Sequence, residues 1–148
     1  MKHTSASIGR TFVLRLEHGD RMPDCIEAFA AEQDLKQGLV YLIGAIDDGG
    51  RMVCGPADPA SRPVQVLIHQ LAGVHEGMGM GTLFPDEDGA PRLHFHGAFG
   101  RDGVTRMGCT RVGIEVWHIA EAVILELTGP DLVRRREPDT GFETLAID

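Results

Sequence analysis

At 148 residues, with 43% apolar and 24% charged residues, the chain has the make-up of one ordinary globular domain that buries its own core without disulfide or metal staples. A net charge of −8 without a basic face opposes phosphate-driven nucleic-acid binding. There is no apolar run of about 18 residues to span a membrane and no apolar signal core in Met1 to Ser7. Three widely spaced cysteines, Cys25, Cys54 and Cys109, do not form a disulfide framework, so a reducing cytoplasm is the expected setting.

Residues 1 to 10 read as a loose terminus. Thr11 to Glu17 alternates as a first strand, and His18-Gly19-Asp20 turns. One clear helix follows, with Pro23 in its first turn, Asp20 as its cap and Gly38 as its stop. Ile26, Phe29, Ala30 and Gln33 follow helical spacing. Leu39 to Ile46 is an apolar run of β-formers, a buried strand. After a turn at Asp47 to Gly50, Arg51 to Cys54 returns as a short strand, and Pro56 to Pro63 is a loop. Val64, Val66 and Ile68 alternate as another strand.

Val74 to Phe84 is extended and glycine-rich, with Gly77-Met78-Gly79-Met80-Gly81 at its centre. No Lys-Ser/Thr follows, so this is not a phosphate loop. It reads as a crowded strand where small residues let another backbone or subunit approach, with Met78 and Met80 packed there. Asp86 to Gly89 makes a hairpin turn, Arg92 to Phe99 returns, and Arg101-Asp102-Gly103 turns once more. Val116 to Leu127 reads as a strand, with a helix over Ala120 to Leu127 as the alternative. Arg134-Arg135-Arg136 reads as a solvated basic run, and 142–147 as a short strand in a tail. The expected fold is α+β: a mostly antiparallel or mixed sheet with one main helix packed on it.

The chemistry concentrates in Leu93-His94-Phe95-His96-Gly97-Ala98-Phe99. On a strand, successive side chains point to opposite faces. Leu93, Phe95 and Phe99 then share the core face, and His94 and His96 share the other. Two such imidazoles can converge on one metal ion, but a third donor is needed to hold it. Cys109, beyond the Arg101-Asp102-Gly103 turn, comes close to the pair if the chain doubles back there. A thiolate beside two imidazoles suits zinc, and less specifically other divalent transition metals. Against this, two histidines on a solvated face need no function, and a single cysteine reads as a small core residue. His69, His75 and His118 read as surface or satisfied core histidines.

Four segments, in order, resemble the PPC (or PCC) domain: Leu14 to Asp20, Gly38 to Ala45, Leu93 to His96, and Met107-Gly108-Cys109-Thr110 followed by Ala120 to Ile124. The resemblance covers about residues 10 to 128, leaving 129–148 as a C-terminal extension of a single PPC-like domain. It implies a metal site, commonly zinc, at His94 and His96. The family's third histidine is replaced here by Cys109, after Met107-Gly108 rather than Gly-Gly. Glu121 matches a glutamate of the family. It either orients a ligand histidine, acts as a base, or pairs with Arg15 or Arg111. The resemblance also implies a homotrimer. Bacterial members are often labelled DNA-binding, but the arginine hook of the plant members is absent. The expectation is a small zinc-binding protein with a small-ligand pocket at the metal. The alternative is a DNA-associated or protein-interaction module without catalysis. A cupin is excluded, because its glutamate position falls here on Phe99 or Gly100.

Overall fold

Alternation of period two dominates the chain, and the computed structural model, which describes residues 1–147, is accordingly built almost wholly of strands. In order these are β1 (Ser7–Glu17), β2 (Arg21–Met22), α1 (Asp24–Glu32), β3 (Gly38–Ile46), β4 (Arg51–Pro56), β5 (Val66–Gln70), β6 (His75–Pro85), β7 (Pro91–Arg101), β8 (Val104–Cys109), β9 (Ile114–Thr128), β10 (Val133–Arg136) and β11 (Glu143–Ala146). The main sheet runs β1-β9-β3-β6-β7-β8-β4-β5, with β2 beside β9 and β10–β11 as a separate hairpin. Every pairing among the described residues is antiparallel. Among the described residues no helix is long and apolar enough to cross a membrane.

One face of the sheet carries the core. Val40 and Leu42 of β3, Leu83 of β6, Phe95 and Phe99 of β7, and Ala122 and Ile124 of β9 are buried there with Ile26 and Ala30 of α1. The glycines of β6 have a specific task on this face. A Cβ on Gly77 would strike the Phe99 ring, and one on Gly79 or Gly81 would strike Phe95. Gly97, opposite Gly79, makes room for Phe99 in the same way. What these glycines make room for is a pair of phenyl rings from β7, while the expected packing of the two methionines is not seen. Met78 and Met80 point to the other face and are 63% and 55% exposed.

Several local expectations change. The first strand begins at Ser7 rather than Thr11, because Glu126 of β9 clamps its start: Arg10 Nε and Nη2 donate to the two carboxylate oxygens at 2.8 and 2.6 Å. The helix is not capped by Asp20, whose carboxylate instead accepts the Glu17 N–H at 2.8 Å; Pro23 holds the cap position. Nor does Gly38 stop the helix. The chain leaves it at Gln33, Asp34 takes positive φ (49°), and Leu35 N–H returns to Ala30 O. Gly38 opens β3 instead. Ala120 to Leu127 is strand, not helix, since it pairs with β1 on one side and β3 on the other. The arginine run is β10, paired with β11 from Arg136↔Glu143 to Val133↔Ala146; Arg135 and Arg136 are exposed as expected, but Arg134 is buried.

Gly79→Ala should cost roughly 1–3 kcal/mol of stability by overpacking against Phe95 and the His96 carbonyl. A denaturant titration reads this directly, and an unchanged midpoint would show that the rings move aside freely.

Candidate metal centre

β7 and β8 are joined by a two-residue turn. Asp102 and Gly103 both have positive φ, 52° and 77°, as tight hairpins matching the strand twist require. That turn pairs Arg101 with Val104, and the register then runs back without a bulge to His96↔Cys109. His94 and His96 stand on the outer face of β7, while Leu93, Phe95, Gly97 and Phe99 are buried on the inner one. The imidazoles meet edge to face, with ring centroids 4.9 Å apart and Nε2 to Nε2 at 3.0 Å. Cys109 is almost fully buried, at 2% exposure.

The ligand atoms of His94, His96 and Cys109 all lie within 4.8 Å of one another. Zinc bonds of about 2.0–2.3 Å in a tetrahedral shell place neighbouring donors roughly 3.3–3.6 Å apart. Two borderline nitrogens and one soft sulfur on two hydrogen-bonded strands therefore fit one zinc-sized ion with small side-chain adjustments. Partial desolvation pushes His94 down to about 4, helped by the positive charges of Arg134, His96 and Arg111. Its imidazole is thus neutral at physiological pH, the form that binds metal.

The other sequence-derived residues lie elsewhere. Arg15 and Glu121 are cross-strand partners on β1 and β9. They share the outer face with the histidines, but β3 and β6 intervene, which puts Glu121 three strand spacings, on the order of 14 Å, from β7. Arg15 Nε pairs with Glu17 at 3.1 Å. Glu121 borders a different cavity, with Ile43, Gly77 and Thr105. His75 is held by the Gly73 carbonyl at the far end of β6, and the His118 N–H donates to His18. Neither joins the cluster.

Sequence reasoning passed over Arg134. It is 4% exposed, and its guanidinium donates through Nη2 to the carbonyl and hydroxyl oxygens of Thr82, both at 2.9 Å. It also lies over the Phe84 ring at 5.6 Å. Burial lowers its pKa, against the opposing pull of Glu143, Cys109 and Glu27. The signal was present: Val133 to Arg136 and Glu143 to Ala146 flank a turn segment, Pro138-Asp139-Thr140-Gly141, as hairpin strands do. Together Arg134, Arg111, His94, Cys109 and Phe142 border a cleft of about 850 Å³ walled by the C-terminal hairpin.

Comparison with solved structures finds the same fold at low identity. A plant- and prokaryote-conserved (PPC) protein from Pyrococcus horikoshii is 20% identical, with a TM-score of 0.81 over 99% of this chain and 100% of its own. A protein from Archaeoglobus fulgidus described as metal-containing is 22% identical, with a TM-score of 0.83 over 99% and 100%. A Ralstonia eutropha JMP134 protein described as a "Putative DNA-binding protein" is 18% identical, with a TM-score of 0.73 over 92% and 90%. Among curated proteins nothing matches. The family model of the Plants and Prokaryotes Conserved (PCC) domain matches residues 3–128, and the chain belongs to that family.

Proposed function

We propose that this PCC-domain protein binds a single zinc ion through His94, His96 and Cys109. The observation that carries the reading is the convergence of three donors from two paired strands within 4.8 Å. The structural relative from Archaeoglobus fulgidus, described as metal-containing, supports it. Three protein donors leave a fourth position for water or a small ligand, and the adjoining cleft has room for one. We read the chain as one cytoplasmic domain with its core at about 10–128 and residues 129–148 as a C-terminal extension, whose β10–β11 hairpin folds over the metal end. Glu121 and Arg15 are in this reading a structural cross-strand pair rather than supports of the metal ligands.

We further infer a homotrimer. The number three comes from family resemblance; what supports self-association is the outer sheet face. Register places Val13, Val123, Tyr41, Met80 and His96 in one row across it, and Ile43, Met78, Ala98 and Met107 in the next. Val13 is 80% exposed, Ile43 56% and Met107 64%. A contiguous apolar face of this kind on an isolated chain marks an interaction surface.

Protein purified without a metal-affinity tag should carry close to one metal ion per chain by elemental analysis. His94→Ala should lose it, and Cys109→Ser should bind more weakly by competition with a chelator. Equal metal in wild type and His94→Ala would overturn the site. Light scattering should give three times the chain mass, and Ile43→Glu should yield smaller species that still bind metal; an unaffected trimer would place the interface elsewhere.

The description of relatives as DNA-binding allows a second reading, a DNA-associated module. The net charge of −8 disfavours direct contact with phosphates. A gel-shift titration at low salt should show no complex with duplex DNA, and a salt-sensitive shift would favour the DNA reading.

A further inference from the structure

We propose that the cleft beside His94 and Cys109 is a binding site for a small anion, a carboxylate or phosphate group gripped by Arg134 and Arg111. This deepens the metal reading by naming the class of ligand. It rests on that reading for the metal-binding floor of the cleft, and on the two arginines for the grip.

Arg134 is the first support. Its guanidinium is buried by the β10–β11 hairpin, yet the partners that hold it are neutral: Thr82 O and Oγ1 through Nη2, and Arg92 O through Nε at 3.4 Å. Among the described residues it forms no ion pair within 4.0 Å. Its hydrogen bonds go to neutral groups, Glu143 and Glu27 act on it only at longer range, and an anion bonded directly beside it recovers part of the cost of burying the charge. Guanidinium is also the group best shaped for bidentate recognition of carboxylate and phosphate.

Arg111 is the second. It leaves the chain two residues after Cys109 and stacks on Phe142, with its guanidinium carbon 5.0 Å from the ring centroid. Stacking fixes the plane while leaving the N–H edge able to donate. Like Arg134, it has no carboxylate within 4.0 Å among the described residues. Both arginines border the one cleft that also holds His94 and Cys109.

The cleft lining also includes the carboxylates of Asp24, Glu27 and Glu143. Glu27 is engaged there: Oε1 accepts the Leu93 N–H at 2.8 Å, and Oε2 lies 3.9 Å from Arg92 Nη1. Glu143 and Glu27 also act on Arg134, but neither closes an ion pair with it within 4.0 Å, which leaves its guanidinium open to a directly bonded anion. A ligand with its anionic group on the arginines and the rest of its body along Phe142 and Leu145 matches the lining.

Calorimetric titration with succinate and with inorganic phosphate tests the site, on full-length protein in zinc-loaded and chelator-treated forms. Wild type should bind at least one of them, and the tighter of the two identifies the group. Arg111→Gln and Arg134→Gln should each weaken that binding on the order of tenfold or more, the size of a lost charge-assisted contact. Arg111 is exposed, so its variant keeps the test valid if Arg134→Gln does not fold. Arginine-dependent binding in chelator-treated protein supports the site, even if wild type proves to hold no metal and the zinc reading fails. No binding of either anion at millimolar concentration, or binding indifferent to both substitutions, overturns it.

Discussion

The register of β7 is the constraint on which the rest depends. On its inner face Phe95 and Phe99 fill the space that Gly77, Gly79, Gly81 and Gly97 leave open. Because side chains alternate, seating the rings inward obliges His94 and His96 to face outward. A slip of one residue would turn the phenyl rings to solvent and drive both imidazoles into the core. Burying two large aromatic side chains favours the observed register by several kcal/mol, roughly 1.5–3 for each. The chemistry of the outer face thus inherits its precision from packing on the inner one.

A second restraint acts from the other edge. The Asp102-Gly103 turn admits two central residues with positive φ, which Asp tolerates and Gly prefers. With the turn set at that length, every later pairing follows, and Cys109 meets His96. Just beyond it, Thr110 donates its N–H and its hydroxyl to the Phe95 carbonyl, which ties the end of β8 to the strand of the histidines. The three donors therefore stand on two strands that cannot slide relative to one another without breaking a turn, an aromatic seat and a ladder together.

The outer face is divided in use. Its middle is apolar and open, from Val13 on β1 through Tyr41 and Met80. Its β8 end is polar, partly buried and roofed by the C-terminal hairpin, where Arg134 and Arg111 sit near His94 and Cys109. One sheet face thereby carries an open apolar region and a polar cleft side by side. Partial burial, helped by the positive charge of Arg134, His96 and Arg111, also keeps His94 deprotonated, which favours its lone pair for a metal over a proton.

Much of this was legible in the chain itself. The period of two placed His94 and His96 on one face opposite Phe95 and Phe99, because strand geometry allows nothing else. The Asp102-Gly103 pair announced the turn, and motif order pointed to the family. The helix limits were misread because Asp20 and Gly38 have the right chemistry for caps, while the Pro23 carbonyl, which accepts the Ile26 and Glu27 N–H groups, and Asp34 at positive φ took those positions. What only the tertiary structure decided was distance between segments remote in sequence. It set Glu121 three strands away from the histidines despite a shared face, since β3 and β6 insert between β9 and β7. It also buried Arg134 beside His94, 40 positions further along the chain, since β10 finds its partner in β11 and the pair folds over the cleft. Alternation is a local property that each strand carries alone; strand order and the packing of a hairpin are settled only when the whole sheet closes its core.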